Sequence, residues 1–163
     1  MTGLQGTLTV AAVNGACAGA GLSLALACDL RVAAERATFA VPTARNGLAV
    51  DPWTVRRLAL LAGGGPARAL LIGCGSLDAS RAYALGLVDR LGDLDATLDW
   101  AGEISGFAPL TLRYSKLALE SLLEPELRDP AVAEALDACW HSEDSLEGSR
   151  ARAERRPPRF RGV

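Results

Sequence analysis

Ala12-Val13-Asn14-Gly15-Ala16-Cys17-Ala18-Gly19-Ala20-Gly21-Leu22-Ser23-Leu24-Ala25-Leu26-Ala27-Cys28-Asp29-Leu30-Arg31 is the stretch whose reading decides the fold of this chain. Thr7 to Val13, which leads into it, is apolar and β-branched and stops at Asn14-Gly15, the pattern of a buried strand running into a turn. Gly19-Ala20-Gly21 then feeds Leu22 to Cys28, an apolar helical run closed by Asp29, and Leu30-Arg31-Val32-Ala33 reads as the next strand. Strand, glycine turn, helix, strand places the chain in the α/β class. A glycine-rich turn at a helix start exposes backbone N–H groups and the positive end of the helix dipole, where an anion or a developing oxyanion is stabilised. The Ala20 amide is the candidate donor, with Gly19 and Gly21 shaping the turn.

Other sites built from such a turn fit less well. A dinucleotide site needs Gly-x-Gly-x-x-Gly, but the third position here is Leu24. A serine hydrolase needs Gly-x-Ser-x-Gly with serine at the turn tip, whereas Gly21-Leu22-Ser23-Leu24-Ala25 puts Ser23 inside the helix. A phosphate loop needs Gly-Lys-Ser/Thr, and no lysine occurs here. A tight packing turn with no ligand stays open as an alternative.

Working outward, Thr38 to Val41 reads as a short strand stopped by Pro42, and Thr54 to Ala62 as an amphipathic helix ending at Gly63-Gly64-Gly65-Pro66. Helical spacing recurs over Pro66–Ile72, Ala79–Ala84 and Leu94–Ser105. Pro109 opens a longer helix through Leu122, and a last helix is expected from Ala131 to about Trp140. With 163 residues, half of them hydrophobic (50%), the chain can build one sizeable core. A net charge of -2 argues against nucleic-acid binding. Four cysteines without a CxxC pair and a single histidine argue against a metal site, and apolar surroundings for Cys17, Cys28 and Cys74 suit a reduced, cytoplasmic protein. The uncharged run from Met1 to Cys28 carries Gly15-x-x-x-Gly19, but Asn14-Gly15 breaks it and no basic start precedes it, so a membrane span is not expected. Six of the 17 basic side chains (Arg150, Arg152, Arg155, Arg156, Arg159 and Arg161) crowd the end as either a solvated tail or an anion-binding one.

The quoted stretch resembles the signature of the crotonase (enoyl-CoA hydratase/isomerase) superfamily. Ser76 to Val88, ending Ala84-Leu85-Gly86-Leu87-Val88, is similar to the family's later segment, and Arg155-Arg156-Pro157-Pro158-Arg159-Phe160-Arg161-Gly162 is similar to its C-terminal tail. The resemblance implies a spiral of ββα units, here partial, over residues 1–93, followed by a helical region at 94–149 and a basic tail at 150–163. It also implies a homotrimer or hexamer that binds CoA thioesters and polarises the thioester carbonyl between two backbone N–H groups. Ala20 matches the second of these donors. The first comes from a segment before Asn14 that the chain is not expected to contain, as in a truncated form, a mis-started gene product or half of a site completed by another polypeptide.

Hydration in this family needs two carboxylates, and Ser23 and Thr43 stand in their places, so hydratase activity is not expected. Asp51 matches the position where some isomerases and dehalogenases of the family carry a working aspartate. A buried aspartate there would have a raised pKa and could shuttle a proton, while Asp51-Pro52-Trp53-Thr54 also reads as a helix N-cap. Ser23, Thr43 and Trp53 are candidates for the acyl pocket, with core packing the alternative for Trp53. The tail residues Arg156, Arg159 and Phe160 are candidates for the phosphate end of CoA. Gly47 to Asp51, Trp53, Arg56-Arg57-Leu58 and the Arg-Pro-Pro-Arg-Phe tail resemble the non-hydratase branch linked to mycolic-acid synthesis, which binds long acyl-CoA without turnover. The function expected is acyl-CoA binding in lipid metabolism, with no cofactor beyond the CoA thioester as ligand. The alternative is a double-bond isomerase using Asp51.

Overall fold

The computed structural model describes residues 7–107 and 140–161, together with residues 112, 115, 116, 119, 120 and 137. Strands β1 (Val10–Val13) and β2 (Ala16–Ala18) lead directly into helix α1 (Ala20–Ala27), and β3 (Leu30–Ala33) and β4 (Thr38–Ala40) follow. A 3₁₀ turn at Ala44–Asn46 precedes α2 (Pro52–Ala62) and α3 (Gly64–Leu71). Then come β5 (Ser76–Asp78), α4 (Ala79–Ala84), β6 (Arg90–Leu91), α5 (Leu94–Ser105) and, after the undescribed stretch, α6 (Glu143–Ala153).

The strands form two three-stranded sheets, β1-β3-β6 and β2-β4-β5. Successive strands of each ββ pair enter different sheets, so β1β2α1 and β3β4α2 are two turns of one spiral. Parallel pairing follows from this winding: Val10 to Val13 lie beside Leu30 to Ala33, and Ala16 to Ala18 beside Thr38 to Ala40. Asn14-Gly15 is the corner between the sheets, held where Thr38 N donates to Gly15 O (3.2 Å) and Arg36 Nε to Asn14 O (2.7 Å). β5 runs antiparallel to β4, and β6 closes the first sheet beside β3. The core lies between the sheets and α1–α4, with Leu22, Leu26, Phe39, Leu58 and Leu87 all fully buried.

Two polar devices lock the spiral. Arg31, on the middle strand of its sheet, is buried, and its guanidinium donates to Leu87 O (2.8 Å), Cys28 O (2.8 Å), Asp29 O (3.3 Å) and the Asp89 carboxylate (3.2 Å). Burial lowers its pKa and the Asp89 charge opposes that shift. Asp29 Oδ2 accepts from Thr9 N and Oγ1 and from Lys116 Nζ, tying the approach to β1 to a helical residue far along the chain.

The α/β spiral expected from the sequence is therefore present, with differences of detail. The first strand starts at Val10 and is only partly buried, since it is an edge strand whose Ala12 faces solvent. β2, β5 and β6 were not expected; each is two or three residues long, too short for a two-residue period to register. The arginine-rich end is helical at its start, α6 running through it to Ala153, and residues 156–161 fold back against that helix, while Arg150, Arg152, Arg155, Arg159 and Arg161 are exposed. Most of the helices expected at Pro109–Leu122 and Ala131–Trp140 lies outside the described residues. Among the described residues, no helix is long and apolar enough to cross a membrane.

Candidate functional site

The glycine turn opens helix α1. Gly19 has φ +55°, a left-handed value that glycine adopts without a Cβ penalty, and this lets β2 pass into α1 with no spacer. Gly19 N donates to Ala40 O at 3.2 Å, so the end of β4 holds the turn from below. Ala20 is the first helical residue, and the opening N–H groups of a helix have no intrahelical acceptor. Ala20 and Gly21 are exposed, and a Cβ placed at Gly19 or Gly21 would meet nothing within 4 Å. The turn therefore borders open space.

Beside it, α2 begins with Asp51 as N-cap, Pro52 in the first helical position, and Thr54 N donating to Asp51 Oδ1 at 3.1 Å. The N-cap expected from the sequence is thus present. Thr54 is buried; its hydroxyl lies 2.6 Å from Asp51 Oδ2 and 3.3 Å from Ser23 Oγ. Ser23 Oγ lies 3.4 Å from Gly19 O, so a chain of hydroxyls runs from the Asp51 carboxylate to the glycine turn. Of the residues singled out in the sequence, Gly19, Ala20, Gly21, Ser23 and Asp51 converge here. Asp51 is half-buried rather than sealed in an apolar pocket. Thr54 was missed: its capping bond to Asp51 is local and legible, but its contact with Ser23 spans 31 residues.

Trp53 is half-buried and packs against the core, with the Arg57 guanidinium 5.9 Å from its ring centroid. Arg57 reaches Leu26 O, near the end of α1, with Nε (3.2 Å) and pairs with Glu120 (3.0 Å), so α2 touches α1 at Leu26 as well as at Ser23. Thr43 is half-buried at the start of the 3₁₀ turn, and its carbonyl accepts from Asn46 N and Leu48 N. No bond joins it to the Ser23–Thr54–Asp51 chain among those described.

The tail residues sit elsewhere, on α6. Glu147 takes both terminal nitrogens of Arg156 (2.5 and 2.9 Å) and Arg159 N (2.9 Å), while Arg156 Nε pairs with Glu154 (2.6 Å). The Arg156 guanidinium and then the Arg159 amide push the Glu147 carboxyl down to about 2, and the Arg156 pKa is raised in return. Arg150, Arg159 and Arg161 line a cleft with Glu143, Asp144 and Glu147. α6 in turn presses on the loop between Thr43 and Asp51: a Cβ at Gly148 would collide with the Asn46 carbonyl, and one at Gly47 with Asp144 O and the Phe160 ring. Phe160 is thus a packing contact on Gly47. Among the described residues, no group of three or more histidine, cysteine, aspartate or glutamate side chains could hold a metal ion.

Comparison with known proteins agrees with this architecture. The enoyl-CoA hydratase/isomerase family model matches residues 5–163. The probable enoyl-CoA hydratase echA6 of Mycobacterium tuberculosis is 44% identical over 94% of this chain, and human mitochondrial methylglutaconyl-CoA hydratase is 34% identical over the same share. Among solved structures, a carnitinyl-CoA dehydratase from Mycobacterium avium superposes with a TM-score of 0.86 at 35% identity, covering 96% of this chain and 65% of that one. A methylmalonyl-CoA decarboxylase gives 0.85 at 27% identity, covering 94% of this chain and 63% of that one. The match spans 63% of the length of the echA6 protein and 48% of the human one. A two-sheet spiral carrying a glycine turn at a helix start, matched over nearly its whole length, makes this chain a member of the enoyl-CoA hydratase/isomerase family.

Proposed function

We propose that the chain binds a long-chain acyl-CoA through its thioester carbonyl at the Ala20 amide and does not hydrate it. The observation that carries this reading is the glycine turn itself: the exposed first residue of α1 beside open space, with the Ser23 hydroxyl 3.4 Å from Gly19 O. The relatives whose names mention hydration, dehydration and decarboxylation all carry CoA thioesters in those names, which supports the ligand class. Ser23 and Thr43 cannot act as general bases near neutral pH. A backbone donor at a helix N-terminus still polarises a carbonyl without them. In the same reading Ser23, Thr43 and Trp53 border the acyl chain, and Arg156, Arg159 and Phe160 belong to the end that meets the CoA phosphates. Arg156 is held by Glu147 and Glu154, so Arg159 is the better phosphate partner of the two. A homotrimer or hexamer in the cytoplasm, in lipid metabolism, completes the reading.

The test is calorimetric titration of the 163-residue chain with a long-chain acyl-CoA, with the enoyl-CoA absorbance followed in parallel. Binding without loss of absorbance is expected. Hydration, or no binding by a folded chain, overturns the reading. Double-bond isomerisation is the second reading, favoured by the Asp51 carboxylate, which Thr54 and Ser23 separate from the turn. Asp51→Asn keeps the capping oxygen but removes the acid, so it abolishes isomerisation in that case and leaves binding intact in the first.

A further inference from the structure

Resting on the thioester reading above, we propose that Leu24 is a specificity-determining residue whose exposed side chain forms the apolar wall for the first carbons of an acyl chain seated at the Ala20 amide. Helix α1 reads Ala-Gly-Leu-Ser-Leu-Ala-Leu-Ala, with Ser23 its one polar side chain, so it is apolar on every side. A helix of that kind is ordinarily covered all round. α1 buries Leu22, Ala25 and Leu26, while Ala20, Gly21 and Leu24 stay exposed, Leu24 by 60%. These three share a face, because residues three and four apart are neighbours on a helix surface. The open apolar side of α1 is therefore the side that carries the donor turn.

A helical side chain leans toward the N-terminus and lies over the turn before its own Cα, so Leu24 overhangs the turn of Ala20 and Gly21. A Cβ added at Gly19 or Gly21 would meet nothing within 4 Å, so the space beside the turn is left open. Four residues along a helix span about 6 Å, and a leucine leaning back across that span meets a ligand within the first few atoms on either side of a carbonyl held at the Ala20 amide. The two branches of the thioester differ in chemistry. The CoA arm runs from sulfur through a short methylene link to an amide, which needs hydrogen-bond partners that leucine lacks, whereas the acyl branch is hydrocarbon. Leu24 therefore faces the acyl carbons next to the carbonyl, a place distinct from that of Ser23, which is half-buried and lies against Thr54.

The test compares calorimetric binding of free CoA, butyryl-CoA and hexadecanoyl-CoA to wild type, Leu24→Ala and Leu24→Gln. Leu24 is exposed, and alanine and glutamine are good helix formers, so both variants should keep the fold, which circular dichroism checks. Removing a half-covered group of about three carbons, or placing an amide there, should weaken both acyl-CoA ligands by roughly five- to tenfold and leave free CoA unchanged. An equal loss for the short and the long chain is the mark of a contact near the carbonyl. A loss that grows with chain length, a loss shared by free CoA, or no loss in the folded variants overturns the Leu24 contact and leaves the thioester reading standing. So does a change of oligomeric state on size exclusion with binding unaltered, which would mean that a second copy covers this face. A wild type that binds no acyl-CoA, or binds butyryl-CoA no more tightly than CoA, overturns the thioester reading and the Leu24 contact with it.

Discussion

Substituting Gly148 by alanine tests the seat of α6 on the loop that leads to Asp51. Gly148 is buried in the middle of α6, and an added Cβ would run into the Asn46 carbonyl and approach Gly47 N. The obstacle is backbone, so it cannot swing aside; either α6 shifts or the 43–48 loop does. Overpacking of this kind costs about 1–3 kcal/mol, and replacing a mid-helix glycine by alanine returns roughly 0.5–1 kcal/mol. A backbone obstacle puts the cost in the upper half of that range, about 2–3 kcal/mol, so the net is a loss of about 1–2.5 kcal/mol. In a chain of this length 1 kcal/mol moves Tm by ~2–4 °C, so Gly148→Ala should melt about 2–10 °C lower. Gly102→Ala in α5 is the control, because its Cβ would meet nothing within 4 Å and only the helix-propensity gain remains. That variant should melt ~1–4 °C higher. Circular dichroism melts of the three proteins decide the matter, and a Gly148→Ala protein as stable as wild type would refute the contact of α6 with Asn46. Gly47→Ala meets Asp144 O on the same interface and adds the strain of φ +63°, so the double variant should lose less than the sum, one shift of α6 relieving both contacts.

Arg31→Lys should cost about 1–3 kcal/mol, because an ammonium cannot replace a guanidinium that bonds three carbonyls and Asp89; an unchanged denaturation midpoint would sink that account. Glu147 titrates in the folded chain near 2 instead of its usual 4.5, so its contribution is complete above 4.5 and is lost as pH falls from there toward 2. Acid unfolding in that window should shift to lower sensitivity in Glu147→Gln, and superimposable pH curves would show that the pair with Arg156 does not hold the tail. Burial pushes the Cys17 thiol up to about 11, so intact-mass analysis after alkylation at pH 8 should find it unmodified until the protein unfolds; labelling at the rate of a free thiol would contradict its burial.

Much of the fold was legible in short range. Asp51-Pro52 announced the start of α2 because capping is a bond between residues three apart, and Leu94–Ser105 announced α5 by its apolar spacing. Gly19 announced a special turn because only glycine takes its backbone angle cheaply. The helix through Arg150–Ala153 was not legible because its charge run carries no apolar period; two of its arginines lie in the last turn of α6, a favourable place for cations at a helix C-terminus.

What the sequence by itself determined was the class of the fold and the place of the glycine turn at a helix start, both of which reside in residue type and local spacing. Only the tertiary structure decided that Ser23 meets Thr54 across 31 residues and that Arg31 finds Asp89 across 58. It likewise decided that Glu147, nine residues before Arg156, joins Glu154 as its partner within this chain. These pairs are created by the winding of two sheets and by α6 folding back, and a side chain carries no mark of the distant surface it will be brought against.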